Sequence, residues 1–154
     1  MGMNKKSKKE YATCIILHNI RSVHNAGSIF RTADAAGVGK IYLTGFTPAP
    51  IDRFGRKRKD FEKAALGAEK TVQWEQREDI LPLLNELKAE KFLIVGIEQA
   101  PNAEDYKNTH AKSPLVFVFG NEVSGLPKDV LDACDVVAEI PVCGAKESLN
   151  VSVA

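Results

Sequence analysis

Two stretches near the C-terminal end of this 154-residue chain bring together groups able to do chemistry. An apolar run ends in Phe119-Gly120-Asn121-Glu122-Val123-Ser124-Gly125-Leu126. Further on come Ile140-Pro141-Val142-Cys143-Gly144 and the closing Ser148-Leu149-Asn150-Val151-Ser152-Val153-Ala154. Both read as strand ends running into glycine loops, where open α/β sheets hold their ligands. They present carboxylate, amide, hydroxyl and exposed backbone groups, and function has to be argued from such a site.

A second group is electrostatic. Residues 1–70 carry fourteen Lys/Arg against six Asp/Glu, and residues 71–154 carry seven against fourteen, so the overall +1 hides a basic first half and an acidic second half. The positive charge is concentrated in Lys5, Lys6, Lys8 and Lys9, and again in Arg53, Arg56, Lys57, Arg58 and Lys59. Such blocks suit phosphate backbones, although a solvated tail or loop has the same composition. Phe54 and Gly55 lie inside the second block, and an aromatic in a basic loop can stack on a base, which favours nucleic acid there.

Composition excludes several classes. Apolar content of 44% and charge of 27% suit a soluble, cytoplasmic globular domain, and the length suits one such domain. No apolar run approaches the ~18 residues of a membrane span. Met1–Glu10 lacks the apolar core of a secretory signal, and Lys6 stands where myristoylation after Gly2 wants Ser or Thr. Cys14, Cys134 and Cys143 are odd in number without metal-like spacing, as reduced thiols would be, and His18, His24 and His110 are scattered. No metal is expected. Neither GxGxxG nor GxxxxGK[ST] occurs, so an ordinary dinucleotide or phosphate loop is not expected.

The elements that must position these groups alternate. Thr13–Leu17, Ile41–Leu43, Thr71–Trp74, Phe92–Ile97, Leu115–Phe119 and Val136–Ile140 read as strands. Asn25–Ala36, Phe61–Leu66, Glu78–Glu90 and Pro127–Cys134 read as helices, and Thr44–Lys59 as a loop. Near-continuous apolar runs are the mark of buried parallel strands. The expected fold is therefore α/β, a mostly parallel sheet with helices on both faces.

Three segments now carry a specific resemblance. Asn25-Ala26-Gly27-Ser28-Ile29-Phe30-Arg31-Thr32-Ala33-Asp34 resembles motif 1 of the SpoU (TrmH-type) RNA ribose 2′-O-methyltransferases of the SPOUT superfamily. Phe119–Leu126 resembles motif 2, and Ile140–Gly144 with Ser148–Ala154 resembles motif 3. The resemblance covers nearly all of the chain from about residue 12, in order and in separation. It implies S-adenosylmethionine bound in a C-terminal trefoil knot, an exception to the rule against threaded chains, and a homodimer with active sites near the subunit interface. It implies rRNA or tRNA as substrate, residues 11–154 as the methyltransferase domain, and residues 1–10 as a basic flexible tail. By position it assigns Gly120, Ile140 and Leu149 to the cofactor, and Asn25, Arg31, Glu122, Ser148 and Asn150 to the catalytic cluster.

The chemistry of those residues can be weighed separately. A ribose 2′-hydroxyl is a poor nucleophile that must lose its proton and align with the sulfonium methyl. With a pKa above about 12, Arg31 suits an orienting donor that grips a phosphate and steadies developing alkoxide better than it suits a base. Asn25 is expected to cap the helix it opens as well as to face substrate, and Ser148 to cap a following helix. Glu122 is expected to hold Asn150 and Arg31 or to lie near the sulfonium. Asn150 is either a paired core amide or a site residue. Cys143 reads as a small filler of the cofactor loop and Trp74 as core. The family's long C-terminal helix should begin where this sequence stops, at Ala154. A natural end there would make the knot shallow and weaken the dimer; a shortened chain is the other reading. Two rival functions remain: an RNA-binding module of the same fold without methyl transfer, and a small-molecule enzyme of flavodoxin-like or Rossmann type.

Overall fold

The computed structural model describes residues 12–110, 112 and 114–154; the basic block at Lys5–Lys9 lies outside them. Its elements are β1 (Thr13–His18), α1 (Val23–Ala36), β2 (Lys40–Thr44), α2 (Lys59–Ala65), α3 (Ala68–Thr71), β3 (Gln73–Arg77), α4 (Ile80–Ala89), β4 (Leu93–Ile97), β5 (Glu104–Asp105), β6 (Leu115–Phe119), α5 (Lys128–Ala133) and β7 (Val136–Glu139). A 3-10 turn, Tyr106–Asn108, follows β5. The strands form one seven-stranded sheet in the order β3-β2-β1-β6-β4-β7-β5, and every pairing is parallel. The expected α/β class holds.

The sheet is sandwiched because alternate residues of each central strand point to opposite faces. Ile15 and Leu17 of β1 join Ile41 and Leu43 of β2 in a core completed by Ile29, Phe30 and Ala33 of α1 and Phe61 and Ala65 of α2. Cys14 and Ile16 turn the other way, toward Tyr42, Ile94, Val116 and Val118, with Leu83, Leu84 and Leu87 of α4 and Val130 of α5 above them. On the first face α1 and α2 come close at Gly27, where a Cβ would lie 2.7 Å from Ala64 Cβ and 3.0 Å from the Phe61 carbonyl oxygen. The Phe30 and Phe61 rings meet edge to face beside it, 5.0 Å between centroids.

Several local expectations change. The third strand runs over Gln73–Arg77, because Thr71 ends the four-residue α3. Trp74 sits on this edge strand, half-buried against the first core. Lys59 opens α2 and so leaves the preceding loop. Helix α1 begins two residues before Asn25, and its cap is Ser22, whose Oγ accepts from the Asn25 N–H at 3.1 Å. No helix starts at Ser148: residues 151–153 form a turn in which the Val153 and Ala154 N–H groups reach back to the Asn150 carbonyl. Asn150 is exposed and so is no core amide, and Cys143 is exposed too.

The order places β6 between β1 and β4, so the chain reverses direction across the sheet there. Parallel strands end level: Leu17 is in register with Phe119, His18 with Thr44, and Ile97 with Phe119. The loops after β1, β2, β4, β6 and β7 therefore gather on one edge, as ligand-binding loops do at a topological switch point.

Candidate functional site

Glu122 lies in the loop after β6, directly beside the start of α1. Its carboxylate accepts hydrogen bonds from the Arg21 N–H (2.9 Å to Oε2), the Ser22 N–H (3.1 Å to Oε1) and the Asn25 side-chain amide (3.1 Å to Oε1). The first turn of a helix leaves N–H groups without intrahelical partners and favours a negative charge, so this acid completes what the sequence of α1 leaves open. Burial pushes the Glu122 carboxyl up, but the Arg21 and Ser22 N–H groups and the Asn25 amide outweigh it and hold the group below the ordinary carboxylate range.

Because Asn25 gives its NH2 to Glu122, its oxygen faces the other way. Asn25 Oδ1 accepts from Asn150 Nδ2 at 3.3 Å, and Asn150 Oδ1 in turn accepts from the Ser152 N–H (2.8 Å) and hydroxyl (2.6 Å). One directed chain thus runs from the loop after β6 through α1 to the last residues, joining three segments far apart in sequence.

The loop after β6 is itself fixed. Asn121 Oδ1 accepts from the Val123 and Ser124 N–H groups, while its NH2 donates to the Asn19 carbonyl at 2.9 Å. Gly120 permits the fold-back, since a Cβ there would meet the Gly125 backbone at 2.6 Å. Glu98, after β4, accepts from the Leu126 N–H (2.8 Å) and from the Gln99 N–H (3.0 Å). At the neighbouring strand end His18 is buried, its Nδ1 2.8 Å from Thr44 Oγ1, and burial pushes its pKa down.

These loops line an open cavity of about 550 Å³. Gly120, Ile140 and Leu149 line it, as do Asn25, Glu122, Ser148 and Asn150. Arg31 does not: it is exposed on α1, six residues beyond Asn25 and so on another face of the helix. The cavity walls also include Ile97, Glu98, Gln99, Phe119 and Val142. Sequence reasoning missed Glu98 and Gln99, although they follow an apolar strand just as Gly120 does. Sequence reasoning also missed Asn19, directly after β1, and Ser22, at the start of α1, which build the frame without lining the cavity. Cys143 is absent from the lining, and burial raises the Cys14 and Cys134 thiols to about 11, which leaves both protonated at neutral pH. Among the described residues no cluster of three His, Cys, Asp or Glu could hold a metal ion.

The basic block forms a separate structure after β2. Arg53, Arg56, Lys57 and Lys59 are exposed and Arg58 half-buried, paired with Asp60 at 3.2 Å. The Arg53 and Arg56 guanidiniums lie 4.8 and 4.9 Å from the centre of the Phe54 ring.

Comparison with known proteins is consistent across sequence and structure. Residues 12–154 match the model of the SpoU rRNA Methylase family. The chain is 36% identical over 151 residues to a putative TrmH family tRNA/rRNA methyltransferase of Staphylococcus haemolyticus, covering 98% of this chain and 58% of that protein. A Staphylococcus epidermidis protein of the same description is 38% identical over 150 residues, covering 97% and 57%. The chain thus spans less than three-fifths of the length of these curated relatives. Among solved structures, an AdoMet-bound rRNA methyltransferase from Sinorhizobium meliloti superposes with a TM-score of 0.80 at 27% identity, over 92% of this chain and 51% of that one. The A. aeolicus TrmH/SpoU tRNA modifying enzyme gives 0.80 at 27% identity, over 95% and 71%.

Proposed function

This chain belongs to the SpoU rRNA Methylase family, and from that premise we propose that it transfers a methyl group from S-adenosylmethionine to a ribose 2′-hydroxyl of rRNA or tRNA in the cytoplasm. In this reading residues 11–154 are the methyltransferase domain and residues 1–10 a basic tail. Among the described residues no helix is long and apolar enough to cross a membrane.

The observation that carries the reading is the sign of the cavity. Glu98, Glu122 and Glu147 line it, and no Lys, Arg or His is among its lining residues. An anionic cofactor would meet three carboxylates there, whereas S-adenosylmethionine, net positive through its sulfonium and ammonium groups, suits the acids, and Ile97, Phe119, Ile140, Val142 and Leu149 suit its adenine and ribose. The volume lies within the range of small-molecule sites. Gly120, Ile140 and Leu149 would hold the cofactor, largely through backbone groups and apolar contact. When bound it supplies an electrophilic methyl group.

The chain's own residues do the orienting. Glu122 fixes the Asn25 amide, Asn25 fixes Asn150, and Asn150 with the exposed Ser148 presents polar groups at the cavity mouth to an entering ribose. Two further parts of the reading are the homodimer and the trefoil knot. For the knot, support comes from residues 147–154, which return against Asn25 and the loop after β6, with Val151 packed on the first core. For the dimer, support comes from Arg31, whose place outside its own cavity suits service to a second copy. The exposed basic turn of Arg53, Arg56, Lys57, Arg58 and Lys59 would take the RNA backbone.

Two measurements test this. Titration calorimetry of S-adenosylmethionine should show micromolar binding that Asn150→Ala weakens. Radiolabelled methyl transferred to bulk rRNA or tRNA should then appear in alkali-resistant dinucleotides, because a 2′-O-methyl blocks cleavage at that phosphate. Label confined to alkali-labile mononucleotides would mean base methylation, and no cofactor binding by a folded chain would leave an RNA-binding module.

A further inference from the structure

The chain keeps Phe54 65% exposed, between the charged residues Asp52, Arg53 and Arg56. The residues around it are held by hydrogen bonds. Ile51 and Lys57 form an antiparallel bridge, the Asp52 N–H donates to the Arg56 carbonyl at 2.8 Å, and the Arg58 N–H to the Pro50 carbonyl at 3.0 Å. Inside the turn Asp52 Oδ1 accepts from the Phe54 and Arg56 N–H groups at 2.8 and 2.9 Å. Gly55 takes φ +75°, a left-handed conformation that side chains resist. The turn therefore holds the ring out from the fold, with the Arg53 and Arg56 guanidiniums lying over it, 4.8 and 4.9 Å from its centre. Arg53, Lys57 and Lys59 have no carboxylate partner among the described residues, so their charge is available.

The turn is also tied to the cavity. Its root is held to the segment after β1 by the Phe46 N–H on Asn19 Oδ1 (3.1 Å) and by the Ile20 N–H on Thr47 Oγ1 (3.0 Å). Asn121 grips the carbonyl of that same Asn19, and Glu122 grips Arg21 and Ser22. Strand β2, which launches the turn, stands two strands from β6 on the same sheet edge, about 10 Å at the usual spacing. Phe46, 63% exposed, lies at the root of the same loop.

We propose that the Asp52–Arg56 turn is a stacking platform for an unpaired nucleobase of the substrate RNA. A base displaces a guanidinium from over the Phe54 ring, the freed arginine takes a neighbouring phosphate, and the target ribose is presented from a single-stranded or looped segment. Duplex RNA keeps its bases stacked on one another and offers no free face to the ring, so the platform selects loops over helices. Preorganisation by Asp52 and Gly55 keeps the ordering cost of that contact low. The inference rests on the methyl-transfer reading for its substrate class, but it makes its own binding prediction.

The test is fluorescence anisotropy with the full chain, using labelled oligoadenylate of about twelve nucleotides, single-stranded and annealed to oligouridylate, across a salt series. Phe54→Leu keeps the charge and removes the ring. It should weaken single-strand binding by about 5- to 100-fold and leave both the salt slope and duplex binding as they were. Phe54→Tyr should restore affinity, and the indole of Phe54→Trp should be quenched by the single strand. Arg53→Ala with Arg56→Ala should instead flatten the salt slope. Unchanged single-strand affinity in Phe54→Leu, equal losses on single strand and duplex, or no binding by the unaltered chain would each overturn the platform. Titrating S-adenosylmethionine into the same samples separates the two readings. Cofactor binding without ring-dependent RNA binding overturns the platform alone, and ring-dependent RNA binding without cofactor binding overturns methyl transfer alone.

Discussion

At the scale of single residues, the Glu122 carboxylate does its work as an acceptor of three donors: the Arg21 N–H, the Ser22 N–H and the Asn25 amide. Glu122→Gln keeps the shape but turns an NH2 toward one of those donors and removes the charge that faces the start of α1. For a half-buried group that water partly rescues, a loss of about 1 kcal/mol in stability is expected. Cofactor affinity should fall with it, because the Asn25 amide loses its orientation. The pH dependence is specific. The carboxyl is held below its ordinary value of 4.5, so its contribution is fully present above that pH and is lost as pH falls through the folded value. Thermal melts should show the unaltered chain losing stability below pH 4.5 more steeply than the Gln variant, the two curves converging in acid. Parallel melting curves across that range would argue that the three hydrogen bonds contribute nothing through the charge.

At the scale of elements, the contact of α1 with α2 decides whether the Asn25 end of α1 is correctly placed. Gly27→Ala gains about 1 kcal/mol of helix propensity. It also drives a Cβ to 2.7 Å from Ala64 Cβ and 3.0 Å from a backbone oxygen that no rotamer change can move. Overpacking of that kind costs about 1–3 kcal/mol, so a net loss is expected, read as a melting temperature lower by a few degrees; a rise would mean that α2 yields freely. The elements legible in the sequence were those with a strong apolar signal. β1, β4 and β6 are buried runs, and α4 shows its stripe of Ile80, Leu83, Leu84 and Leu87. β3 is a polar edge strand, Gln73–Arg77, and β5 has two residues, so neither carries a period to read. The four-residue α3 is too short for one. Within the site the same distinction holds. Gly120, Glu122 and Ile140 stand at visible strand ends, whereas Asn19 and Ser22 meet the loop after β6 through backbone groups, the Asn19 carbonyl and the Ser22 N–H, across about a hundred residues. Such bonds leave no pattern in residue type.

At the scale of the whole molecule, the acidic cavity and the exposed Arg31 pose one problem. The lining of the cavity supplies no cation, yet a ribose oxygen losing its proton beside a phosphodiester needs positive charge near it. Arg31 is about 120° around α1 from Asn25 and is not among the residues that line the cavity. The proposed homodimer would resolve this, because in a two-fold interface whatever one copy lends, the other returns. Arg31→Ala and Asn150→Ala should then each lower methyl transfer by about a hundredfold or more. Co-refolded in equal amounts, half of the dimers would carry both lesions on one site and none on the other, and roughly a quarter of the original activity should return. A mixture no more active than its inputs, in samples shown by sedimentation to be dimeric, would place Arg31 outside the reaction, as would a chain that stays monomeric yet transfers methyl groups at full rate. Recovery to about the expected fraction would show that the cavity and the cation it lacks come from different copies, and that the exposed face of α1 is part of the active surface.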